Sequence, residues 1–204
     1  MIESVKMKKY KKYILGLIFV IATLLRYYYL NHSFGINTCY PTSICSCKDT
    51  VDLSNYLCAG RAKYMNVSAE LIKSQVYSFH ELIETYNVDG KAFSEYEENK
   101  FIIIEIAFKN RNEKKIEMRM SDFTIIGDDW YCMPNHELSN VIMSDGDCSQ
   151  NLVVGIMPDE TFNAQLVYVL YKGELPEKRF NNLKKENVLL ELTMYPEKKY
   201  FKLL

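Results

Sequence analysis

One segment, from Lys100 to Lys109, constrains the fold more than any other part of the chain. On one face of this segment every second side chain is large and apolar: Ile102, Ile104, Ile106 and Phe108. The opposite face begins apolar and turns polar along the segment, with Phe101, Ile103, Glu105, Ala107 and Lys109. Alternation at period two, with a second face that is partly apolar, predicts a central strand of an antiparallel sheet.

Shorter strands are indicated on both sides of this segment. The stretch Asn110–Glu113 has the composition of a turn, so we expect a hairpin whose second strand carries Ile116, Met118 and Met120. Gly127-Asp128 should join a strand at residues 123–126 to one that begins at Trp130. Further apolar or alternating runs occur at residues 67–71, 152–157, 165–171 and 188–194. Seven or eight short strands separated by turns predict a mainly β fold, an antiparallel immunoglobulin-like β-sandwich.

One helix interrupts the strands. Four apolar residues have the spacing of a single helical stripe: Phe79, Leu82, Ile83 and Tyr86. Ser78 and Glu81 have the spacing of a capping box, in which the serine hydroxyl and the glutamate carboxylate satisfy backbone amides at the helix start. Asn87 to Gly90 should end the helix. We expect it to lie over the sheet and cover part of the core.

The order of these elements resembles a known family. The helix motif F-x-x-L-I-x-x-Y is followed by KFIIIEIAFKNRNEKKIEM and SDFTIIGDDWY, and the chain closes with LVVGIMPDE, AQLVYVLY and VLLELTMYP. Over residues 62–196 this pattern resembles the telokin-related, immunoglobulin-like extracellular domains of unknown function found in Gram-positive surface lipoproteins and membrane-anchored proteins. The resemblance implies a two-sheet sandwich with no assigned enzymatic activity, and it supplies no catalytic residues.

The N-terminal thirty residues have the features of a signal anchor. Five lysines lie between Lys6 and Lys12, and the apolar run Ile14–Leu25 follows them directly. Eighteen helical residues, 13–30, would span about 27 Å, which is enough for a thin hydrocarbon core. The lysines should hold the N-terminus in the cytoplasm. A cleaved signal peptide is the main alternative, but Arg26 and three tyrosines follow the apolar run where small residues are needed.

The chain beyond this segment is therefore expected to lie outside the cytoplasm. We expect a cytoplasmic tail at residues 1–12, a transmembrane anchor at 13–30, a cysteine-bearing stalk at 31–61 and the sandwich domain at 62–204. Attachment by a lipid is a further alternative, although the residues before Cys39 match a lipidation site poorly. Residues 31–204 carry 19 basic and 25 acidic side chains, a net charge of −6. This charge disfavours nucleic acid as a partner.

The cysteines agree with export. All six lie beyond the anchor: Cys39, Cys45, Cys47, Cys58, Cys132 and Cys148. An even number on the exported side predicts disulfides, and the spacing of the first four does not form the paired knuckles of a zinc site. Cys132 and Cys148 are close in the chain and far from the others, so we expect them to pair. Cys45 and Cys47 should each pair with Cys39 or Cys58.

Candidate catalytic and metal sites are few. Of the three histidines, His32 lies next to the predicted anchor, His80 faces away from the helical stripe, and His136 lies in a polar stretch. None stands beside a plausible serine or cysteine nucleophile with a shared base. The stretch from Asp145 to Asn151 begins like a calcium loop, but Gln150 and Ile156 replace its required glycine and glutamate. Tyr168 and Tyr171 should point to opposite faces of their strand, so at least one should be in the core. We expect no cofactor and no metal.

Two functions are compatible with this sequence. The first is a membrane-anchored extracytoplasmic binding or structural module, without catalytic activity, that presents the sandwich to an envelope or protein partner. The second is an extracytoplasmic sensor of a ligand or peptide that acts with a membrane partner. Its cytoplasmic tail of about a dozen residues is short for signalling on its own. An enzyme is the least favoured class.

Overall fold

The computed structural model of the protein describes residues 20–23, 26, 41–54, 56–58, 63–143 and 152–204. The chain divides into two units, Met1–Tyr40 and Pro41–Leu204. In the first unit the described residues, 20–23 and 26, are helical. Within the described ranges no helix combines the length and the apolar character needed to cross a membrane. The anchor predicted at residues 13–30 falls mostly outside the described residues and stays a prediction.

The second unit is built mainly of strands. Its described residues form β1 (Thr42–Cys45), β2 (Thr50–Asp52), β3 (Val67–Ser78), β4 (Lys100–Asn110), β5 (Ile116–Arg119), β6 (Ile125–Ile126), β7 (Tyr131–Cys132), β8 (Val153–Ile156), β9 (Thr161–Leu170), β10 (Leu189–Thr193) and β11 (Lys198–Lys202). They also form the helices α1 (Phe79–Tyr86), α2 (His136–Ile142) and α3 (Glu177–Asn181). Single turns of 3-10 helix occur at Ser94–Tyr96, Met120–Asp122 and Leu183–Lys185.

The strands form two layers around one core. One layer is a four-stranded sheet in the order β2-β3-β4-β9. The other contains a five-stranded sheet, β1-β11-β10-β6-β7, and the pair β5-β8. The larger apolar core, called the main core below, joins residues from all three groups of strands. The strand pairs are antiparallel except for β1, which lies parallel to β11. The prediction of a mainly β sandwich with antiparallel sheets and few helices is confirmed.

Strand β4 is the centre of the four-stranded sheet, as predicted. It pairs with β3 on one side and with β9 on the other. The four side chains on its inner face are fully buried: Ile102, Ile104, Ile106 and Phe108. The Phe108 ring lies 4.9 Å, centroid to centroid, from the ring of Phe123 in the facing layer. The buried Tyr168 hydroxyl donates to the Phe123 carbonyl at 2.8 Å, which ties the two layers together.

A second, smaller core explains why the outer face of β4 begins apolar. Phe101 and Ile103 pack there against Phe79 and Leu82 of α1 and against Leu138 of α2. The polar residues further along this face lie beyond the part that the helices cover, and polar side chains can stay in contact with solvent. The four-stranded sheet is therefore buried on both faces at one end and on one face at the other.

Helix α2 (His136–Ile142) is not predicted by the sequence analysis. Asn135 caps it by accepting from the Leu138 amide at 2.9 Å. The helix also seals the edge of β9. The Val167 amide donates to the Ser139 hydroxyl at 3.0 Å, and the Val167 carbonyl accepts from the Asn135 amide at 2.7 Å. These bonds occupy backbone groups that an edge strand would otherwise leave unpaired.

The hairpin predicted between β4 and β5 is wrong. β5 pairs with β8, with Met118 opposite Val154, and Met120 lies in a 3-10 turn. Both edges of β4 are already taken by β3 and β9, so no edge is open to β5. Asn110, fully buried at the end of β4, fixes the different path. Its Nδ2 lies 3.0 Å from each of the carbonyl oxygens of Lys114, Ile156 and Met157, which directs the chain into the other layer.

The domain boundary predicted at residue 61 is too late in the chain. β1 pairs with β11, with Ile44 opposite Tyr200, and β2 pairs with β3. Cys58 is fully buried in the main core. Residues 41–54 and 56–58 are therefore part of the sandwich and not of a stalk. Because β1 and β2 are only four and three residues long, their sequence is too short to show an alternating pattern. Residues 31–40 of the predicted stalk lie outside the described residues.

The predicted capping box at the start of α1 is present. The Glu81 amide donates to the Ser78 hydroxyl oxygen at 3.4 Å, and the Ser78 amide donates to the Glu81 carboxylate at 2.7 Å. Asn87, in the left-handed conformation at φ 51°, ends the helix. Phe79 and Leu82 are buried in the second core, as the helical stripe predicted.

Removing the cap should destabilise the domain measurably. We expect Ser78→Ala to lower the free energy of unfolding by about 1 kcal/mol, because the Glu81 amide loses its acceptor. Chemical denaturation of the two proteins gives the difference. Ser94→Ala is the matched control, since Ser94 begins a 3-10 turn, is exposed, and accepts its one cap hydrogen bond through the backbone carbonyl, which alanine keeps. An equal loss in both variants would contradict this role of Ser78.

Candidate functional site: a lysine-lined groove

A groove of about 400 Å³ opens where α1 begins. One wall is formed by the end of β3, the start of α1 and the start of β4; the other is formed by the segment that follows α3. The lining residues are Val76, Tyr77, Ser78, Glu81, Lys100, Asn181, Asn182, Leu183, Lys184 and Lys185. Its volume falls in the range of small-molecule sites, which are clefts of about 300–1,000 Å³. Sequence analysis did not predict this site.

The first wall is held by the capping box. The Glu81 carboxylate accepts from both the Ser78 amide, at 2.7 Å, and the Ser78 hydroxyl, at 2.8 Å. These hydrogen bonds, with the ammonium groups of Lys184 and Lys100 nearby, hold the pKa of the Glu81 carboxyl below its usual value. The residue that the sequence identified as a helix cap is therefore also the one acidic side chain among the lining residues.

The second wall is anchored on both of its sides. Phe180 and Leu183 are buried in the main core, so the backbone between them lies against the sandwich. Arg179 forms ion pairs with Glu186 at 2.6 Å and with Asp129 at 2.7 Å. The Asp129 contact ties this segment to the turn between β6 and β7. The wall is thus fixed before any ligand arrives.

The charge of the groove is positive. Three lysines and one glutamate line it, a net charge of +2, in a domain whose overall charge is negative. The Lys100 ammonium lies 5.1 Å from the centroid of the Phe180 ring and donates to the Asn181 carbonyl at 3.4 Å. Lys184 and Lys185 are exposed on the opposite wall. Lysines from two distant parts of the sequence are therefore brought to one concave surface.

The described cysteines do not form the bridges expected among themselves. No disulfide joins any two of Cys45, Cys47, Cys58 and Cys132. Cys58 is buried in the core, whereas the exposed Cys47 thiol donates to the Leu71 and Ile72 carbonyls at 3.3 and 3.1 Å. Pairing of Cys58 with Cys45 or Cys47 is thus not present in this structure. Bridges to Cys39 and Cys148 involve residues outside the described part and stay predictions.

The thiols of two cysteines are poor nucleophiles. Burial, with a contribution from Asp122, raises the pKa of Cys58 to about 12. Burial, with a contribution from Glu174, likewise raises the pKa of Cys132 to about 12. Because the thiolate is the reactive form of cysteine, both thiols stay protonated and inert at neutral pH.

The histidines are not placed for catalysis in the described residues. His80 and His136 are exposed on α1 and α2, and neither forms a hydrogen bond with a serine or cysteine of the described ranges. His32 and the calcium-like stretch 145–151 lie outside them. Tyr168 is buried and Tyr171 is 43% exposed, which confirms that the first is a core residue.

Two buried polar residues were also missed by the sequence analysis. Tyr64 donates from its hydroxyl to the Asp122 carboxylate at 3.1 Å and accepts from the Arg119 amide at 3.1 Å. Asn110 connects the ends of β4 and β8, as described above. Both residues form hydrogen bonds with backbone or carboxylate groups, so their role is to stabilise the fold. The run Asn181–Lys185, with two amides and two lysines, was the one sequence feature that could have indicated the groove.

Comparison with known proteins extends this description. Residues 46–199 match the domain of unknown function DUF5028. No curated protein matches the chain in sequence. A functionally unknown protein from Listeria monocytogenes EGD-e is 12% identical over 71% of this chain and 72% of its own, with a TM-score of 0.43. An uncharacterized β-sandwich protein from Clostridium difficile 630 is 11% identical over 81% of this chain and 96% of its own, with a TM-score of 0.43. The yjhA protein from Bacillus subtilis is 11% identical over 78% of this chain and 98% of its own, with a TM-score of 0.42. At these identities the likeness concerns the fold alone.

Proposed function

Since the chain belongs to the DUF5028 family of domains of unknown function, we propose that it is a binding or structural module without catalytic activity. In this proposal the module is anchored in the cell membrane by residues 13–30 and presents its sandwich outside the cytoplasm to a protein or envelope partner. The observation that carries the binding role is the groove, whose lysines are held on two rigid walls of the sandwich.

The location rests on the N-terminal sequence. Five lysines before the apolar run favour a cytoplasmic N-terminus and an exported domain. The resemblance to telokin-related, immunoglobulin-like domains of Gram-positive surface proteins supports the same placement. Six cysteines beyond the anchor suit an oxidising compartment, in which Cys132 and Cys148 would pair.

The absence of catalysis is supported by the chemistry of the described side chains. The groove contains lysines, amides and one glutamate that is engaged in a helix cap. Cys58 is buried and Cys132 is half-buried, the pKa of both thiols is raised so that they stay protonated, and His80 lies on the exposed side of α1. A nucleophile with an adjacent base, which group-transfer enzymes need, is not assembled among these residues.

The size of the groove favours one alternative. A cavity of about 400 Å³ is large enough for a small ligand or a few residues of a peptide. The chain would then be an extracytoplasmic sensor that acts with a membrane partner. A sensor should release or recruit that partner when its ligand binds, whereas a presenting module should hold its partner constantly.

Recovery of the tagged full chain from solubilised envelopes tests the proposal. We expect a macromolecular partner to be recovered with the chain. The partner should be absent when an unrelated domain replaces the sandwich after residues 1–30.

Protease added to intact cells should digest the sandwich and spare the N-terminal tail. Recovery of the chain without any partner, or protection of the sandwich from protease, would contradict the proposed module.

A further inference from the structure

We propose that the groove between α1 and Asn181–Lys185 is an anion site that binds a carboxylate or phosphate group of a ligand or partner. This inference deepens the proposed binding function and rests on it. Three features of the groove support it: three lysines against one carboxylate, the engagement of that carboxylate in a helix cap, and walls that are anchored to the sandwich.

The lysines of the groove outnumber its acidic residues three to one. Among the described residues, ion pairs join Lys172 to Glu98 and Arg179 to Asp129 and Glu186. None of these pairs includes Lys100, Lys184 or Lys185. The domain has more acidic than basic side chains, so three lysines on one concave surface beside a single carboxylate, Glu81, give the groove a charge opposite to that of the domain. An incoming anion would find a positive charge that Glu81 neutralises only in part.

The field of these lysines extends into the groove. Lys184 and Lys100 both act on the Glu81 carboxylate and help to hold its pKa below the usual value. They come from opposite walls, so a second negative group placed between the walls would interact with both. Glu81 itself is oriented by the amide and hydroxyl of Ser78. The negative charge of Glu81 lowers the affinity of the groove for anions but does not abolish binding.

The remaining lining suits the uncharged part of such a ligand. Val76 and Leu183 are buried beneath the groove and provide an apolar floor. Asn181 is exposed on the wall and offers an amide group, whereas the Asn182 Nδ2 already donates to the Lys178 carbonyl at 2.8 Å. Because the wall is anchored by Phe180, Leu183 and Arg179, binding would not have to order its backbone.

Titration calorimetry of the full chain in detergent, with inorganic phosphate in one arm and citrate in the other, tests the site. We expect saturable binding of at least one anion at low salt, weakened as screening increases with added NaCl. Lys100→Gln and Lys184→Gln should each weaken binding roughly threefold to fivefold, and the double variant roughly tenfold or more. The arm that binds more tightly identifies phosphate or carboxylate as the preferred group.

Lys109→Gln is the matched control, because Lys109 is exposed at the far end of the same strand as Lys100. It should bind both anions like the wild type. Equal weakening in Lys109→Gln and Lys184→Gln, or no saturable binding of either anion, would overturn the anion site. Loss of the envelope partner with anion binding intact would instead refute the presenting module alone, so the two failures are distinguishable.

Discussion

Replacing Asn110 with alanine is expected to lower the free energy of unfolding by about 3 kcal/mol or more, because three carbonyls, one in a buried hydrogen bond and two in part-buried ones, lose their donor at once. The Asn110 Nδ2 lies 3.0 Å from the carbonyl oxygens of Lys114, Ile156 and Met157. Its Oδ1 accepts from the Asn112 amide at 2.9 Å. The Asn110 side chain is fully buried, and its hydrogen bond to the Ile156 carbonyl is buried as well.

Two further variants make this prediction specific. Asn110→Asp keeps the acceptor for Asn112 but places a carboxylate against three carbonyl oxygens, so it should destabilise at least as much as alanine. Asn163→Ala, at an exposed position of β9, should change the free energy by less than about 0.5 kcal/mol. Chemical denaturation measures all three. A loss below about 1 kcal/mol in Asn110→Ala would mean that this residue does not direct the crossover from β4 to β5.

The second large effect is expected at Leu82. This residue is fully buried in the second core, where α1 packs on the four-stranded sheet beside Phe101 and Ile103. Leu82→Ala should lower the free energy of unfolding by about 2–5 kcal/mol, since it removes apolar contacts and leaves a cavity. The start of α1 also forms one wall of the groove, so anion binding should weaken in the same variant.

His80→Ala provides the comparison on the same helix. His80 is exposed two positions before Leu82, and its replacement should leave both stability and binding nearly unchanged. Thermal unfolding and anion titration of the two variants give the result. Equal destabilisation by His80→Ala and Leu82→Ala would contradict the view that α1 is held by its apolar stripe.

The elements predicted best from the sequence are those whose pattern is local. The period of β4 and the stripe and cap of α1 depend on neighbouring residues, so they could be identified without knowledge of the fold. The partner of β5 could not. A turn after a strand favours a hairpin, but the central position of β4 and the hydrogen bonds of Asn110 exclude one here.

The sites that were missed depend on residues far apart in the chain. Lys100 and Lys184 are brought to one groove only because β4 and the segment after α3 meet at the same end of the sandwich. Glu81 was identified as a helix cap, and its position in the groove became visible only with the opposite wall in place. The strands β1 and β2 were missed because four and three residues are too few to show an alternating pattern in the sequence.

The charge of a single residue provides the most direct test of the anion site. Glu81→Gln removes the negative charge from the groove and keeps the capping box, in which glutamine is as suitable as glutamate at this position. Calorimetric titration with the anion that the wild type prefers should then give tighter binding by roughly threefold to fivefold at low salt, with a smaller gain at high salt. Unchanged or weaker binding of the anion by a Glu81→Gln protein of wild-type stability would contradict the proposed function of the groove.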